Sequence, residues 1–246
     1  MTRPFFVAGA TGFTGREVVR QARQRGLEVV AHVRPDSTRL SRWRSRFDEL
    51  GARVDTTPWE EAAMARTLAG AAPGCVLALI GTTRARGRQA SRRGRVEDYD
   101  SVDYGLTALL VRAARQAGTE PAPRFVYLSS VGAGARSRSA YLRTRARVEL
   151  ELEESGLPFT IVRPSFIVGP DRDDARPGER IGAGLVDGAL AVTGLLGGRR
   201  LRDRYRSIGN VDLAGALVEI ALDPAEEGQV VEPEQLQRRL RGRGPR

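Results

Sequence analysis

Short apolar runs alternate with helix-length amphipathic segments along most of the chain. The runs predict buried strands, and apolar residues three and four positions apart in the segments between them predict helices. The predicted strands are Pro4–Ala8, Glu28–Val33, Ala52–Asp55, Cys75–Ile80, Arg124–Leu128, Phe159–Val162 and Gly228–Glu232. The predicted helices are Gly15–Arg25, Glu60–Ala69, Val102–Ala117, Tyr141–Ser155 and Val211–Leu222, whereas Arg39–Leu50 is interpreted as a polar segment and Arg84–Tyr99 as an Arg- and Gly-rich loop.

This alternation implies parallel strands joined by right-handed helical crossovers. We therefore predict an α/β fold with a doubly wound parallel sheet, a Rossmann fold, as a single domain over residues 1–235. From Pro170 the alternation loosens, which predicts a small irregular C-terminal lobe, with residues 163–206 covering a substrate. The Arg-rich tail, residues 236–246, is expected to be disordered.

Composition excludes several classes of protein. The 246 residues include one cysteine, Cys75, so an intramolecular disulfide framework and a cysteine-clustered zinc site are ruled out, and no metal is expected. The longest unbroken apolar run, Cys75–Ile80, is far shorter than the ~20 residues of a membrane-spanning helix, and the first residues do not resemble a signal peptide. These features predict a soluble, cytoplasmic protein that does not engage a membrane.

The net charge of +10 comes from 40 basic and 30 acidic residues, and every basic residue is Arg, because the chain contains no Lys. The densest basic stretches are 84–95, 199–206 and 238–246. They could form a nucleic-acid or acidic-partner surface, or they could be solvated loops and a tail. Because Tyr205 is the one aromatic residue in these stretches, they lack the interleaved aromatics that stack on bases; we favour the second interpretation and do not expect a nucleic-acid partner.

A glycine-rich turn, Gly9–Gly15, directly follows the first predicted strand and opens the first predicted helix. Gly9 permits a tight turn, Gly12 allows a dinucleotide pyrophosphate to approach the backbone, and Gly15 lets the helix pack against the strand. The N-terminus of the helix adds N–H donors and the positive end of its dipole. Thr14 and Glu17 also match a capping box. The turn therefore predicts dinucleotide binding.

The end of the second strand bears on the choice between NAD and NADP. In NAD-binding proteins an acidic residue there contacts the ribose 2′-hydroxyl, but this strand is followed by Arg34. A guanidinium can pair with the 2′-phosphate of NADP, and Arg39 could assist, so NADP(H) is preferred over NAD(H). Asp36 offers the competing interpretation, because it could still reach a 2′-hydroxyl. His32, within the strand, is interpreted as a packed histidine.

Candidate catalytic residues follow the fifth strand. Ser129 and Ser130 come directly after it, at the carboxyl edge where ligands gather in doubly wound sheets. Tyr141 and Arg145 are four residues apart and share one helical face. A serine hydroxyl can hydrogen-bond a substrate carbonyl, while a tyrosine beside a cation exchanges the proton that balances hydride transfer. Tyr141 could alternatively be a core aromatic.

With these motifs, the chain resembles the atypical short-chain dehydrogenases/reductases, and within them the Tat-interacting-protein-like oxidoreductases. The resemblance rests on six segments: Gly9–Gly15, Ile80–Arg84, Phe125–Ala133, Tyr141–Glu149, Thr160–Pro164 and Arg176–Glu179. It implies a Rossmann fold that binds NADP(H). By motif match it assigns the pyrophosphate to Gly9, Thr11, Gly12, Phe13, Thr14 and Gly15, the adenosine phosphate to Arg34, the adenine to Asp55, the nicotinamide-side ribose to Gly81 and Thr82, and the family's Ser and Tyr to Ser130 and Tyr141.

The chain departs from the family at one position. The family pattern is Tyr-x-x-x-Lys, whose Lys binds the nicotinamide ribose and makes the Tyr more acidic, but this chain has Arg145. A guanidinium can supply the charge and the donors, although it needs more room than an ammonium. Two functions are therefore predicted: an NADP-dependent oxidoreductase of a small carbonyl or alcohol compound, with Ser130, Tyr141 and Arg145 as catalytic residues, or a non-catalytic NADP(H)-binding sensor or regulatory protein.

Overall fold

Seven parallel strands form the central sheet in a computed structural model that describes residues 3–81, 99–170 and 206–242. They run in the order β3-β2-β1-β4-β5-β6-β9, which confirms the predicted doubly wound sheet. Their bounds are β1 Phe5–Ala8, β2 Val29–His32, β3 Arg53–Asp55, β4 Cys75–Ala78, β5 Arg124–Leu128, β6 Phe159–Val162 and β9 Gln229–Val231. Two short strands, β7 (Ile167–Val168) and β8 (Ile208–Gly209), pair in parallel beside it.

The described helices are α1 (Phe13–Gln24), α2 (Leu40–Glu49), α3 (Glu61–Ala71), α4 (Thr107–Gln116), α5 (Ala140–Glu153), α6 (Asn210–Leu222) and α7 (Pro233–Gly242). A π-helical segment, Tyr99–Leu106, leads into α4, and a short 3-10 turn, Pro224–Glu226, follows α6. None of the helices in this part of the chain combines the length and the apolar character needed to cross a bilayer.

The helices cover both faces of the sheet. Alternate residues of β1 point to opposite sides, with Phe5 and Val7 in one apolar core and Phe6 and Ala8 in the other. The first core includes buried side chains of α1, α2, α6 and α7, and the second includes those of α3, α4 and α5. Each strand end at the carboxyl edge is therefore held between two packed layers.

Two segments differ from the sequence prediction. The polar segment 39–50 contains a helix, α2, because Trp43 and Phe47 lie four residues apart and both are buried, with ring centroids 5.7 Å apart. Helix α7 extends into the tail that was expected to be disordered, because Leu236 is 1% exposed and packs in the first core. The predicted substrate-covering segment is described only at 163–170 and at Arg206. The predicted Arg84–Tyr99 loop is described only at Tyr99, which begins the π-helical segment, and the Arg176–Glu179 motif and residues 243–246 lie outside the described residues.

Candidate cofactor and active site

The glycine turn lies at the carboxyl end of β1, in the middle of the sheet. Gly9 has a φ of 82°, in the left-handed region that favours glycine, and its carbonyl accepts a hydrogen bond from the Gly12 amide at 2.9 Å. A Cβ built on Gly9 would come within 2.5 Å of the Leu79 carbonyl oxygen, beyond the end of β4. Glycine is thus required at the first position of the turn by both conformation and space.

The other two glycines meet different constraints. A Cβ on Gly15 would lie 2.1 Å from the Gly9 oxygen and 2.9 Å from the Ala10 Cα, so α1 could not pack this closely against the turn. A Cβ on Gly12 would lie 3.1 Å from the Gly9 oxygen, a contact that is tighter than most real Cβ contacts but far less severe than the one at Gly15. Packing therefore explains Gly15, whereas the space at position 12 is less restrictive than at position 15.

The predicted capping box is wrong. Helix α1 begins at Phe13 with Gly12 as its N-cap, and no side chain caps it. Glu17 is instead paired with Arg20 through a 2.5 Å contact and accepts a hydrogen bond from Gln21, which hold its pKa below the ordinary value against the opposing effect of burial. The start of α1 consequently presents backbone N–H groups rather than a carboxylate, and this arrangement fits a bound pyrophosphate.

The remaining turn residues take different environments. Thr14 is buried, and Thr11 is half-buried beside the turn. The Phe13 carbonyl accepts a hydrogen bond from the Asn210 side chain at 3.0 Å, and a Cβ on Gly169 would meet the Phe13 ring at 3.1 Å. The start of α1 therefore contacts the residue that follows β7 and the first residue of α6.

The predicted adenosine contacts lie at the same edge of the sheet. Asp55 ends β3 opposite His32, the last residue of β2, and Arg34 follows two residues later. Arg34 is partly exposed, and its guanidinium lies 3.5 Å from the Asp36 carboxylate. The Asp55 carboxylate accepts hydrogen bonds from the Thr57 hydroxyl at 2.8 Å and the Thr57 amide at 3.2 Å. The structure thus brings Arg34 and Asp55 to one end of the edge.

His32 is packed, as predicted. It is 2% exposed, its Nε2 lies 2.8 Å from the Thr57 carbonyl, and its ring meets Trp59 edge-on at 4.7 Å. Burial lowers the pKa of His32, although the Thr57 carbonyl and the Asp55 carboxylate oppose that shift. The imidazole is therefore a neutral core group at neutral pH.

The two serines after β5 have different roles. The Ser129 hydroxyl is buried and lies 2.5 Å from the Glu149 carboxylate. Ser130 is half-buried, its carbonyl accepts a hydrogen bond from the Ala133 amide, and the Gly134 amide donates to the Leu142 carbonyl at 3.4 Å. This loop therefore packs against the first turn of α5. Ser129 therefore anchors the loop internally, whereas the Ser130 hydroxyl lies 3.5 Å from the Val131 carbonyl oxygen.

Tyr141 lies in the first turn of α5. Ser139 is the N-cap of this helix, and its hydroxyl accepts a hydrogen bond from the Leu142 amide. The half-buried ring of Tyr141 lies 5.3 Å from the Tyr99 ring, between centroids. The guanidinium carbon of Arg145 lies 5.0 Å from the centroid of the same ring. The predicted pair of tyrosine and cation is therefore formed, at the edge that also carries Ser130.

Arg145 is 5% exposed, and both of its terminal nitrogens donate hydrogen bonds to protein acceptors. One terminal nitrogen lies 3.0 Å from the Leu128 carbonyl and 3.1 Å from the Tyr127 hydroxyl, and the other lies 2.8 Å from Asp103. Burial opposes the charge, but Tyr127, Tyr141 and Asp103 outweigh it and hold the pKa of Arg145 above its ordinary value. Only Nε, which is buried, has no hydrogen-bond partner within the described parts of the chain.

Gly81 provides room for this guanidinium. A Cβ on Gly81 would lie 3.3 Å from a terminal nitrogen of Arg145 and 3.8 Å from the Asp103 carboxylate. Thr82, predicted beside it, lies outside the described residues. Across residues 3–81, 99–170 and 206–242, no group of three or more His, Cys, Asp or Glu side chains is placed to hold a metal ion.

Sequence reasoning missed two acidic partners of the site. Glu149, 4% exposed, accepts two hydrogen bonds from Arg163 at 2.9 and 2.6 Å, and Asp103 is fully buried against Arg145. Glu149 stands eight residues after Tyr141 and four after Arg145, so the three share the helical face of α5. That spacing is the signal that could have revealed Glu149, whereas Asp103 is distant in sequence.

Comparison with known proteins defines the class. Residues 9–189 match the family described as NAD(P)H-binding, and the chain belongs to that family. It is 25% identical to the mitochondrial protein FMP52 of Candida albicans over 181 residues, which are 72% of each chain. It is 40% identical to the chloroplastic divinyl chlorophyllide a 8-vinyl-reductase of Oryza sativa subsp. indica over 125 residues, 51% of this chain and 29% of that protein.

Solved structures of other proteins share the same fold. The triphenylmethane reductase of Citrobacter sp., solved as a complex with NADP(H), superposes with a TM-score of 0.61 at 17% identity, over 92% of this chain and 68% of that one. The chain is thus a Rossmann-fold NAD(P)H-binding protein. The narrower resemblance to the Tat-interacting-protein-like oxidoreductases stays a prediction.

Proposed function

We propose that the protein is an NADP-dependent oxidoreductase that acts on a small carbonyl or alcohol compound. The observation that carries the proposal is the juxtaposition at one sheet edge of the uncapped start of α1 with the loop of Ser130 and the first turn of α5. The reductases among its relatives support the reaction class. A cytoplasmic location is part of the proposal, although the Candida relative is named as mitochondrial.

The cofactor would lie along this edge. The pyrophosphate would be held by the turn residues Gly9, Thr11, Gly12, Phe13, Thr14 and Gly15. Arg34 would pair with the 2′-phosphate, Asp55 would face the adenine, and Gly81 with Thr82 would contact the nicotinamide-side ribose. The preference for NADP is supported by the partly exposed guanidinium of Arg34, two residues after the end of β2. Asp36, 3.5 Å from it, is the group that would accept a 2′-hydroxyl if NAD were the cofactor.

When bound, the dinucleotide supplies or accepts a hydride, and the chain's own groups handle the matching proton. In reduction the Tyr141 hydroxyl donates its proton to the carbonyl oxygen, and in oxidation the tyrosinate removes it. The Ser130 hydroxyl donates a hydrogen bond to the same oxygen and polarises it. Arg145 holds a positive charge beside the tyrosine ring, and its Nε–H is the donor left to orient the ribose.

A non-catalytic NADP(H)-binding sensor or regulatory protein is the second candidate. The observation that favours it is the engagement of both terminal nitrogens of Arg145 by protein acceptors, which leaves fewer donors for the cofactor than a free cation would offer. In that case the glycine turn would still bind the dinucleotide, but no substrate would react.

Titration calorimetry with NADPH and NADH, followed by a panel of carbonyl compounds monitored by NADPH absorbance, tests both candidates. For an enzyme, Tyr141→Phe should abolish turnover and leave NADPH affinity nearly unchanged. The matched control is Tyr104→Phe, whose hydroxyl lies 2.7 Å from Glu151 outside the site, and it should keep its turnover. NADPH binding without consumption on any compound would favour the sensor, and failure to bind either dinucleotide would refute both.

A further inference from the structure

A buried ion pair lies beside the candidate acid/base tyrosine. Asp103, fully buried in the π-helical segment, contacts Arg145, 5% exposed in α5, with 2.8 Å between carboxylate oxygen and guanidinium nitrogen. Removing two charges from water carries a large desolvation penalty, and apolar residues of similar volume often do as well or better for stability. A pair of this kind therefore requires an explanation beyond packing.

The pair fixes the guanidinium in one place. The terminal nitrogen that does not contact Asp103 lies 3.0 Å from the Leu128 carbonyl, at the end of β5, and 3.3 Å from the Ile80 carbonyl, beyond β4. Gly81 leaves the space that the guanidinium plane needs. Arg145 thus joins two strand ends, α5 and the π-helical segment, and Asp103 is the anionic member of that set.

The groups that face Tyr141 come from three elements. On its own helix, Arg145 lies 5.0 Å from the ring, and the π-helical segment contributes the Tyr99 ring at 5.3 Å. From β5 comes Tyr127, whose pKa is raised by burial to about 12, so it is neutral at working pH. The exposed pair of Arg147 and Asp100, 2.6 Å apart, flanks these elements in solvent. Asp103 is the buried carboxylate that contacts Arg145.

We propose that Asp103 is a positioning residue of the acid/base site: it fixes Arg145 beside Tyr141 and offsets part of the positive charge that Tyr141 experiences. The inference rests on the proposed function, in which Tyr141 exchanges the proton. It explains how an arginine replaces the lysine of the family pattern, because the larger cation is both seated and partly neutralised. Without the carboxylate, the uncompensated guanidinium favours the tyrosinate, and Tyr141 loses its proton at lower pH.

The test is an ultraviolet titration of tyrosinate absorbance on the full chain, without cofactor or substrate. The step that disappears in Tyr141→Phe is assigned to Tyr141. In Asp103→Asn we expect that step to move to lower pH by about one unit, the order of a nearby unit charge in a partly buried site. Glu226→Gln is the matched control, because it removes a half-buried carboxylate of another arginine pair, that with Arg239, in the 3-10 turn outside the site; the Tyr141 step should stay in place in this variant.

An unmoved step in a folded Asp103→Asn protein overturns the proposal, and so does an equal movement in Glu226→Gln. If Asp103→Asn does not fold, Arg145→Gln is compared with Asp103→Asn/Arg145→Gln, which carries no unpaired buried cation. The double variant should lose its Tyr141 proton at lower pH than the single variant, and equal midpoints contradict the proposal. NADPH binding and consumption are measured separately, so their failure would refute the proposed function and leave this titration to decide the role of Asp103.

Discussion

The last two glycines of the turn should separate cofactor binding from folding. A Cβ at Gly15 would lie 2.1 Å from the Gly9 oxygen and 2.9 Å from the Ala10 Cα, and both of these neighbours are backbone atoms in a packed turn. A Cβ at Gly12 would lie 3.1 Å from the same oxygen, so that a displacement of only a few tenths of an ångström would be needed there. Gly15→Ala should therefore damage the fold, and Gly12→Ala should damage mainly the approach of the pyrophosphate.

The overlap at Gly15 should lower the free energy of unfolding by about 1–3 kcal/mol, the usual cost of forcing extra atoms into packed structure. For Gly12→Ala we expect a loss below about 1 kcal/mol, together with a rise in the NADPH dissociation constant of at least about tenfold, or about 1.4 kcal/mol. Urea unfolding measures the first quantity, and titration calorimetry with NADPH at a temperature where both variants are folded measures the second.

Gly70→Ala is the control for the substitution itself. Gly70 is exposed in α3, and nothing lies within 4 Å of the position of its Cβ, so alanine there should be neutral or slightly stabilising. The reasoning is refuted if Gly15→Ala is as stable as Gly70→Ala. It is also refuted if Gly12→Ala binds NADPH as tightly as the parent chain.

Three further predictions follow from single contacts. Arg34→Ala should weaken NADPH far more than NADH in paired calorimetric titrations, because only NADPH carries the 2′-phosphate; equal losses would contradict the assignment. Burial lowers the pKa of His32, so the unfolded chain binds a proton at this imidazole at higher pH than the folded chain does. The free energy of unfolding should therefore fall as pH drops below about 6.5, by at most about 1.4 kcal/mol per pH unit. In urea unfolding at several pH values His32→Gln should reduce this acid dependence, and an unchanged slope would show that other groups control it. Glu149→Ala should lower the free energy of unfolding by about 3 kcal/mol, measured by urea unfolding. This is the lower end for breaking a buried ion pair, because Arg163 still has Glu232 as a partner at 2.8 Å. Glu153→Ala, on the same helix, provides the baseline.

The sheet was predictable because its strands are short apolar runs separated by helices, a pattern that depends on local composition. Helix α2 was harder to recognise, since Trp43 and Phe47 are the two buried side chains in an otherwise polar segment. The start of α1 was misplaced by two residues because a Thr and a Glu at the right spacing imitate a capping box. Local pattern cannot show that Glu17 is already engaged by Arg20 three residues later.

Within the site, residues adjacent to strand ends were predictable because parallel strands bring their carboxyl ends to one edge. This places Gly9, Arg34, Asp55 and Ser130 together once the strand order is known. The partner of Arg145 was not predictable, because Asp103 is 42 residues away and is brought close by the packing of the π-helical segment on α5. Which of two adjacent serines faces inward likewise depends on a distant group, Glu149.

The inner face of α5 carries two buried charges, Arg145 and Glu149, that bear on the acid/base assignment. A helix that only covered a sheet would carry apolar residues at the positions of Arg145 and Glu149, and such replacements are often neutral or stabilising. Local rules of this kind are broken most often at functional sites. Glu149 immobilises Ser129 and with it the loop of Ser130, and Arg145 lies beside Tyr141. Both buried charges thus act on residues that the hydride chemistry would use, which favours an enzyme over a passive nucleotide binder.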